Sequence, residues 1–501
     1  MSINNSEHAA KIFAEVPELH PYPSSGVVRL PELVGVPFTK RVRAIVDHSH
    51  FQRLRRVRQL SMAFLVYPGA MHTRFEHSLG VFETATKYLT ALLTNGRSQV
   101  FKQRVEKRDV ESLMLAALLH DIGHYPFAHM LEDWVGEVVD HVEFVRQFIT
   151  GEIGQSYQAL KLEDNEPSLW EVIQQHWQNA NLDDICYFVS GQTGNKPYDE
   201  EIRAHKSMIR SILDGPIDAD KMDYLYRDSM HCGVPYGRFI DRDRFFQSLT
   251  VDPARPDTIA IHEKGRICMD LFGYARSAMF SEVYWHHSSR AISVMVNRAF
   301  AEALSGENAV KKDVMMDAMF KRTEEEAVQW LAKSGGEICA DIMGLINKRR
   351  LYKRLFVLRK HDQQKLFESL EHLKWGDTDS FRKLQDSFVV KINSSGLYKH
   401  FSDKPLRKHD ILIDVPRKRT GLPDVPIVQE SAGQLSVGEE PMSVWNGIKH
   451  DFERWVRKIR IFYHPSLIAS QSETSEDISK NYKLKEQLSS ALLEISEELG
   501  A

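Results

Sequence analysis

VESLMLAALLHDIGH, the stretch from Val110 to His124, decides the fold. Its apolar residues recur at helical spacing, which predicts a buried helix over Val110–Leu119. A histidine and an aspartate follow this helix directly. A charged aspartate at the end of a buried helix is costly unless it is paired or binds a cation. The stretch therefore indicates a helical core that carries a polar site at one helix end.

The His120-Asp121 pair is a weak signal when it is taken alone. On a continuous helix, adjacent side chains point about 100° apart, so the pair can hold one ion only near a helix end or a distortion. Gly123 is suited to supply such a break. An isolated His-Asp pair is more often an ordinary helix terminus, and further ligands are needed to indicate a metal site.

Two other motifs supply those ligands. His77 lies in HTRFEHSLG, residues 72–80, at the start of an amphipathic helix that we expect over Thr73–Leu93. Asp220 lies in IDADKMDY, residues 217–224, where charged residues alternate with apolar ones. Two imidazoles and two carboxylates form a mixed site that suits iron, manganese, zinc or magnesium. The predicted metal ligands are His77, His120, Asp121 and Asp220.

The composition narrows the class of protein. The chain has 501 residues, of which 42% are hydrophobic and 27% charged, and this suggests two or more globular units. Its net charge of -4 argues against a protein that coats nucleic acid, so nucleic acid is not a required partner. The four cysteines form no CxxC pair, which is typical of reduced thiols. With no signal peptide and no apolar stretch near the roughly 20 residues of a membrane span, we expect a soluble cytoplasmic protein without membrane contact.

Four segments are expected along the chain. Residues 1–25 are predicted to be an N-terminal tail, residues 26–304 a helical core, residues 305–384 a helical extension, and residues 385–501 a smaller mixed α/β lobe. The expected fold class is therefore mainly α, with a mixed α/β C-terminal lobe.

The prediction of the lobe depends on three β-rich runs: SFVVKI at 387–392, ILIDV at 411–415 and RKIRIFY at 457–463. Loops are expected at PRKRTGLPDVP, residues 416–426, and AGQLSVGEEP, residues 432–441. In the core, DTIAIH at 257–262 is a further strand candidate.

Three motifs in order carry a family resemblance: HTRFEHSLG, then HDIGHYPFAHMLE from His120, then DADKMDYLYRD from Asp218. Together they resemble the HD-domain deoxynucleoside triphosphate (dNTP) triphosphohydrolases, above all the vertebrate enzyme that joins a SAM domain to an HD domain and its bacterial relatives. The resemblance is dense from about Val42 to Arg290 and thin afterwards. It implies an HD-domain helical core, water attack on the α-phosphorus, and release of a deoxynucleoside and intact triphosphate. It also implies a homo-oligomer, either a tetramer or a dimer of dimers.

The resemblance assigns catalytic roles to four residues. His124 and His129 would face the phosphates, and His129 is the candidate general acid, since the leaving 5′-oxygen needs a proton near neutral pH. Glu132 and His141 match a carboxylate–imidazole pair that supports the chemistry, although the family has a shorter aspartate where Glu132 stands.

The resemblance also assigns cationic phosphate contacts to Arg74, Lys221 and Arg276; a guanidinium suits bidentate contact with phosphate. A second Mg²⁺ could accompany the triphosphate. Without the family, these cations would be ordinary surface charges.

Five residues match the family's sugar and base contacts. Tyr224 and Asp228 would surround the sugar 3′-hydroxyl, Gln59 and Leu60 would form the sugar edge, and Tyr284 would line the sugar and base. An apolar wall beneath C2′ would exclude a ribose sterically. The ordinary interpretation of the two tyrosines and the leucine is core packing.

A regulatory nucleotide site is a weaker prediction. The run DHSHFQRLR, which contains Asp47, Gln52 and Arg55, resembles a segment that binds a guanine nucleotide between subunits. Arg349 and Lys353 resemble the partner subunit's phosphate contacts. The alternative is an amphipathic helix with a solvated basic face. The segments that bind a second, linked activator in relatives have no counterpart in PYPSSGVVRLPELVG, so a single nucleotide, another activator and constitutive activity all stay open.

Two other functions compete with dNTP hydrolysis. One is another HD phosphohydrolase, acting on a nucleoside monophosphate, a cyclic nucleotide or the end of a single strand. The other is a nucleotide sensor or scaffold with a decayed site, against which the retention of all four presumed metal ligands argues. A role in dNTP-pool balance and a role in antiviral defence are both compatible with the sequence.

Overall fold

The computed structural model describes residues 2–20, 26–31, 35–132, 141–192, 198–305, 309–371, 378–416, 425–431, 434–437, 447–448, 452–467 and 481–500. Helices dominate these residues, and three small sheets accompany them. This confirms the predicted fold class, a helical core with a mixed C-terminal part.

The α-helices are α1 Ser2–Glu15, α2 Lys40–Val46, α3 Ser49–Gln52, α4 Arg74–Thr94, α5 Gln99–Arg104, α6 Lys107–Leu119, α7 Ala128–Glu132, α8 Val145–Thr150, α9 Ile153–Ser156, α10 Leu169–His176, α11 Leu182–Ser190, α12 Glu200–Arg210, α13 Ala219–Cys232, α14 Arg242–Gln247, α15 Arg266–Met279, α16 His287–Ser305, α17 Lys312–Phe320, α18 Glu324–Ser334, α19 Gly336–Asn347, α20 Gln364–Glu371, α21 Thr378–Ser394 and α22 Tyr482–Gly500. Short 3-10 helices span Pro17–Leu19, Arg53–Arg56, Ser61–Leu65, His141–Phe144, Gln158–Leu160, Tyr236–Arg238, Glu263–Gly265 and Leu397–His400, and π-helical turns span Phe280–Tyr284 and Phe452–Val456.

The strands are β1 Val27–Val28, β2 Val36–Pro37, β3 Leu249–Asp252, β4 Arg255–His262, β5 Lys353–Arg359, β6 Ile411–Asp414, β7 Ile427–Ser431, β8 Gln434–Val437 and β9 Lys458–Tyr463. They form a two-stranded sheet β1-β2, a four-stranded sheet β3-β4-β7-β8 and a three-stranded sheet β5-β9-β6.

Helices α4, α6 and α13 form the centre of the core. Helix α6 starts with a capping box between Glu106 and Asp109, and its residues from Asp109 to Leu119 are all buried. Because all of these residues are buried, this part of α6 has no solvent-exposed face and lies inside the core. Helix α4 packs against both α6 and α13. The helices predicted over 73–93 and 110–119 are thus present, and their ends meet at the candidate site.

The C-terminal residues are tied to the core at two places. Strand β7 pairs in parallel with β4, so that Ile261 lies opposite Ile427. A buried carboxylate, Asp414 of β6, pairs with Arg290 of α16 at 2.5 Å and with Arg460 of β9 at 3.3 Å. Buried charges of this kind persist only when they are paired, so the three-stranded sheet is held against α16 by a defined ion cluster.

The prediction of a strand at SFVVKI is wrong, because these residues lie in α21. The buried residues Phe381, Leu384, Phe388 and Ile392 recur at helical spacing, while Val390 is 63% exposed. Adjacent β-branched residues favour a strand locally, but the burial of one helical stripe decides the structure here. The strands predicted at ILIDV, RKIRIFY and DTIAIH are confirmed as β6, β9 and β4.

Three further expectations need correction. The predicted tail contains α1, which buries Ala9 and Ile12 against the core. The predicted helical extension contains β5, and the predicted loop at 432–441 contains β8. Most of the loop predicted at 416–426 lies outside the described residues. Among the described helices, none has the length and apolarity needed to cross a membrane.

Candidate active site

Four predicted metal ligands converge where α4, α6 and α13 meet. His77 lies one turn into α4, His120 and Asp121 follow the last residue of α6, and Asp220 opens α13. His77 Nε2 is 2.9 Å from Asp220 Oδ1 and 3.3 Å from His120 Nε2, and His120 Nε2 is 3.3 Å from Asp121 Oδ1. Ligand atoms of His77, His120 and Asp220 all lie within 4.8 Å of one another. These two imidazoles and one carboxylate could hold a divalent ion, and Asp121, which lies beside His120, could add a further oxygen donor.

The electrostatics of this group favour a cation. Burial opposes a charge on His77, yet its hydrogen bonds to Asp220 and Asp223 raise its pKa to about 10. Burial also opposes ionisation of Asp121, but the nearby charges, of which Arg74 is the largest, hold the pKa of Asp121 well below its ordinary value. The carboxylates therefore stay ionised in a buried place, and they stabilise positive charge between them.

A second group of residues orients His77. Asp223 Oδ2 lies 2.8 Å from His77 Nδ1, and Arg227 donates to both Asp223 oxygens at 2.9 and 2.7 Å. Arg227 also donates to Glu76 at 2.6 Å. A carboxylate on the second ring nitrogen of a metal-binding histidine sets its tautomer and ring orientation. Our sequence predictions missed these residues, although Asp223 and Arg227 stand one helical turn apart within DADKMDYLYRD.

Three histidines form a second cluster beside the first. His124 Nε2 is 3.4 Å from His129 Nε2, and the rings of His124 and His141 are 3.6 Å apart between centroids. His124 Nδ1 lies 3.1 Å from Asp121 Oδ1, which joins the cluster to the group of predicted metal ligands. Burial and the charge of Arg74 lower the pKa of His124 well below its ordinary value, so this imidazole is neutral. His129 is exposed to solvent.

Gly123 has a different role from the one expected. Helix α6 already ends at Leu119, before the glycine. A Cβ at position 123 would lie 2.1 Å from the carbonyl oxygen of His141, so only glycine lets that backbone approach. Helix α7 reaches Glu132, whose side chain is outside the described part of the structure; the predicted Glu132–His141 pair therefore stays a prediction.

The predicted phosphate contacts lie near these two clusters. Arg74 Nη1 donates to Asp121 Oδ2 at 2.6 Å, and Lys221 pairs with the carboxylate of Asp218. Within the described residues, Arg74 Nε and Arg276 Nη1 are buried and have no hydrogen-bond partner. Buried guanidinium donors without a partner are unusual, and they are suited to receive an anionic ligand.

The predicted sugar contacts form one connected group. The Tyr284 hydroxyl donates to Asp228 Oδ2 at 2.6 Å, and His72 Nε2 lies 2.8 Å from Asp228 Oδ1. The ring of Tyr224 is 6.2 Å from that of Tyr284. Burial raises the pKa of Tyr224, against the opposing charges of Arg276 and Lys221, so the phenol stays protonated beside the predicted phosphate contacts.

The Gln59-Leu60 segment is fastened to the start of α4. Gln59 N donates to His72 O at 3.1 Å, and Arg74 N donates to Val57 O at 2.9 Å. Gln59 Oε1 is buried, and no described residue donates to it. Leu60 is half-buried against the core. This edge can therefore offer both a free amide oxygen and an apolar surface to a ligand.

The predicted regulatory residues fall into two groups. In the first group, Arg55 Nε donates to Gln52 Oε1 at 2.7 Å, while Asp47 follows α2 and pairs with Arg43 at 3.0 Å. Arg349 and Lys353 line a separate cavity of about 300 Å³. The prediction had assigned the two groups to different subunits, and both nucleotide regulation and assembly stay predictions.

Family comparison is consistent with this geometry. The family model of the HD domain matches residues 74–225, and that of the HD associated region matches residues 240–385. This chain is an HD-domain protein. HD domains bind divalent metals, and this HD-domain chain has His and Asp groups that could hold one.

Its relatives confirm the resemblance that the motifs carried. Deoxynucleoside triphosphate triphosphohydrolase SAMHD1 of Homo sapiens is 28% identical over 399 residues, 74% of this chain and 59% of that protein. An uncharacterized protein of Methanocaldococcus jannaschii is 32% identical over 320 residues, 64% of this chain and 56% of that protein. A Bacillus subtilis relative is 32% identical over 266 residues, 53% of this chain and 52% of that protein. The chain thus spans between half and three fifths of these relatives.

The fold has a counterpart in a solved structure. The crystal structure of a hypothetical protein from Aquifex aeolicus, at 2.0 Å resolution, matches with a TM-score of 0.59 and covers 93% of this chain and 99% of that one. At 22% sequence identity this likeness shows a shared fold.

Proposed function

We propose that this HD-domain chain is a metal-dependent hydrolase that cleaves dNTPs into a deoxynucleoside and inorganic triphosphate. The proposal depends mainly on Asp121, which connects the predicted metal ligands to the histidine cluster. Asp121 Oδ1 is 3.3 Å from His120 Nε2 and 3.1 Å from His124 Nδ1. One cluster could hold a metal ion and the other could move protons. Phosphoester hydrolysis needs both within reach of one phosphorus atom.

The metal would be held by His77, His120, Asp121 and Asp220, whose nitrogen and oxygen donors fit a divalent ion. When bound, such an ion lowers the pKa of a coordinated water and polarises a phosphoryl oxygen. Asp223 fixes the orientation of His77 through the 2.8 Å contact to Nδ1.

Protons and phosphate charge are handled by neighbouring side chains. Arg74 and Arg276 direct their unpartnered buried N–H groups to the phosphate oxygens, and Lys221 adds a third cation. His129 gives its proton to the departing 5′-oxygen, because it is the exposed member of the imidazole cluster and lies next to neutral His124. Water adds to the α-phosphorus, the bond to the 5′-oxygen breaks, and triphosphate leaves intact.

The deoxyribose is positioned by Asp228, Tyr224, Tyr284 and the Gln59-Leu60 edge. Asp228 is held by Tyr284 and His72 and can still accept from a 3′-hydroxyl, since a carboxylate has lone pairs for about four donors. Half-buried Leu60 would face C2′ and exclude a ribose.

Product analysis tests the proposal. The purified chain is incubated with each dNTP and with Mg²⁺, Mn²⁺, Fe²⁺ or Zn²⁺, and the products are separated by chromatography. We expect deoxynucleoside and triphosphate, and a loss of at least about 100-fold in Asp121→Asn, since metal catalysis contributes several kcal/mol. Asp183→Asn, which changes an exposed carboxylate on α11, is the matched control. Orthophosphate, pyrophosphate or a nucleotide as product would support another HD phosphohydrolase instead.

A further inference from the structure

His72 touches two of the predicted sugar contacts at once. It lies just before α4 and is 3% exposed. Its Nε2 atom is 2.8 Å from Asp228 Oδ1, and its backbone carbonyl accepts from Gln59 N at 3.1 Å. Asp228 belongs to α13, whereas Gln59 lies between the 3-10 helices Arg53–Arg56 and Ser61–Leu65. One residue therefore joins two segments that are far apart in the sequence.

The hydrogen bond to Asp228 sets the form of the imidazole. An ionised carboxylate can only accept, so a neutral His72 carries its proton on Nε2. The other nitrogen, Nδ1, is buried and has no hydrogen-bond partner among the described residues. Burying a polar ring in this way costs free energy, and an apolar residue would fill the space without that cost. The contact with Asp228 is therefore the feature of His72 that an apolar residue could not supply.

His231 supports the ring of His72. The two rings are stacked, with centroids 4.2 Å apart and planes 12° from parallel. His231 Nε2 is 3.1 Å from Glu76 Oε1, and Glu76 also accepts from Arg227 at 2.6 Å. Arg227 belongs to the group that orients His77. The histidine behind the sugar contacts and the support of a predicted metal ligand thus share one carboxylate.

The loop before His72 approaches α13 closely because residue 69 is glycine. A Cβ at Gly69 would lie 2.3 Å from the carbonyl oxygen of His231. The next residue, Ala70, is fully buried. The backbone on both sides of the stacked pair is therefore fixed, and the position of the His72 ring relative to α13 is defined.

Asp228 keeps acceptor positions for a ligand. Its Oδ2 atom accepts from the Tyr284 hydroxyl at 2.6 Å, and a carboxylate has about four acceptor positions in all. Asp228 can therefore accept from a substrate hydroxyl while His72 and Tyr284 hold its orientation. Gln59 Oε1, on the other segment joined by His72, is buried, and no described residue donates to it.

We propose that His72 and His231 are positioning residues for the sugar contacts Asp228 and Gln59. His72 holds these two residues at the separation that a 3′-hydroxyl requires, and His231 keeps the ring of His72 in its plane. The inference rests on the proposed function, because it concerns the same substrate pocket. A ligand without a 3′-hydroxyl leaves the oriented acceptors unpaired, so the histidine pair makes the pocket selective for nucleotides with a free 3′-hydroxyl.

Titration calorimetry in the presence of a chelator, which prevents turnover, tests the inference on the full chain. The ligands are the dNTPs and the matching 2′,3′-dideoxynucleoside triphosphates. We expect the native chain to prefer the dNTPs by about 10- to 100-fold, the usual effect of a hydrogen bond to a charged group. His72→Phe keeps a ring beside His231 but removes the donor to Asp228. It should lose the preference by weakening dNTP binding alone.

A control and three further variants separate positioning from folding. His176→Phe makes the same change at an exposed position of α10 and should bind as the native chain does. A glutamine amide reaches about as far as Nε2, whereas an asparagine amide ends one carbon shorter. His72→Gln should therefore retain the preference, and His72→Asn should lose it. His231→Leu removes the stacked ring without changing a sugar contact, and it should also reduce the preference.

Several results would overturn the inference. One is a native chain without a preference for dNTPs, and another is a His72→Phe chain that keeps the preference. Equal losses of affinity for both sets of ligands in His72→Phe and His72→Asn would also do so, because a folding defect affects both sets. If His72→Phe does not fold, the comparison of His72→Gln with His72→Asn decides. An unchanged preference in His231→Leu would overturn the role of His231.

The same ligands distinguish this inference from the proposed function. If the preference depends on His72 but no triphosphate is released when metal ions are added, the proposed hydrolysis is refuted and the inference stands. If triphosphate is released from both sets of ligands with the same KM, the hydrolysis stands and the inference is refuted.

Discussion

Gly80 is the point at which α4 and α13 approach each other, and replacing it with alanine tests how the candidate metal group is held together. A Cβ at position 80 would lie 2.0 Å from Asp223 Oδ1 and 2.2 Å from Arg227 Nη2. Asp223 and Arg227 are both 1% exposed, so neither can move into solvent without opening the contact between the helices. Asp223 also contacts His77 Nδ1, so a displacement of Asp223 would disturb the orientation of a predicted metal ligand.

Opposing effects determine how much Gly80→Ala changes the free energy of unfolding. In a helix interior, Gly→Ala normally stabilises by about 1 kcal/mol. Here the added methyl overpacks the helix contact, at a cost of about 1–3 kcal/mol, and it displaces a hydrogen bond between charged groups that contributes about 1.5–3 kcal/mol. The steric and hydrogen-bond costs exceed the gain in helix propensity. We therefore expect Gly80→Ala to lower the free energy of unfolding by about 2–4 kcal/mol.

Gly344→Ala is the matched control. Gly344 also lies inside a helix, α19, but apart from the backbone of α19 itself no atom of the described residues comes within 4 Å of a Cβ built there. That variant should be more stable than the native chain by about 0.5–1 kcal/mol. Urea unfolding followed by circular dichroism measures both variants, and metal titration of the folded Gly80→Ala chain should show affinity reduced by about 10- to 100-fold. A Gly80→Ala chain that gains stability as Gly344→Ala does would refute the packing described for α4 and α13.

Two further predictions concern stability. Asp414→Asn removes the buried carboxylate that Arg290 and Arg460 share, so the free energy of unfolding in urea should fall by about 3–5 kcal/mol; an unchanged midpoint would contradict the ion cluster. Burial raises the pKa of Glu324 from 4.5 to about 7, so the folded chain binds this proton more tightly than the unfolded chain does. Its contribution to stability is therefore full below pH 4.5 and lost as the pH rises through about 7. Glu324→Gln should remove that part of the pH slope in urea unfolding, and identical slopes for the two chains would argue against a buried carboxyl.

Local patterns in the sequence were enough to find the three helices of the core and the residue types of the candidate site. The apolar run before His120 predicts a buried helix, and α6 ends at Leu119, next to it. The other two motifs mark the starts of α4 and α13. Each motif places its predicted ligands at one end of a helix, so a common site requires only that these three helix ends lie close together. In the structure the ends of α4, α6 and α13 do so, and the predicted ligands are neighbours.

Features that depend on distant contacts could not be derived in this way. The parallel pairing of β4 with β7 joins Ile261 to Ile427, and no local spacing indicates such a partner. The support of His77 by Asp223 requires the close approach at Gly80, which is a property of two helices rather than of one motif. In α21, the adjacent β-branched residues favour a strand locally, whereas the longer row of buried residues that begins at Phe381 has helical spacing.

Hydrolysis in ¹⁸O-labelled water is the most direct test of the central claim, attack of water on the α-phosphorus at the metal and imidazole clusters. The products are separated and their masses are measured by mass spectrometry, with Asp121→Asn as the inactive reference. We predict that the triphosphate carries one ¹⁸O atom and that the deoxynucleoside carries none, because the bond that breaks lies between the α-phosphorus and the 5′-oxygen. Label in the deoxynucleoside, or label in orthophosphate or a nucleotide, would contradict the claim.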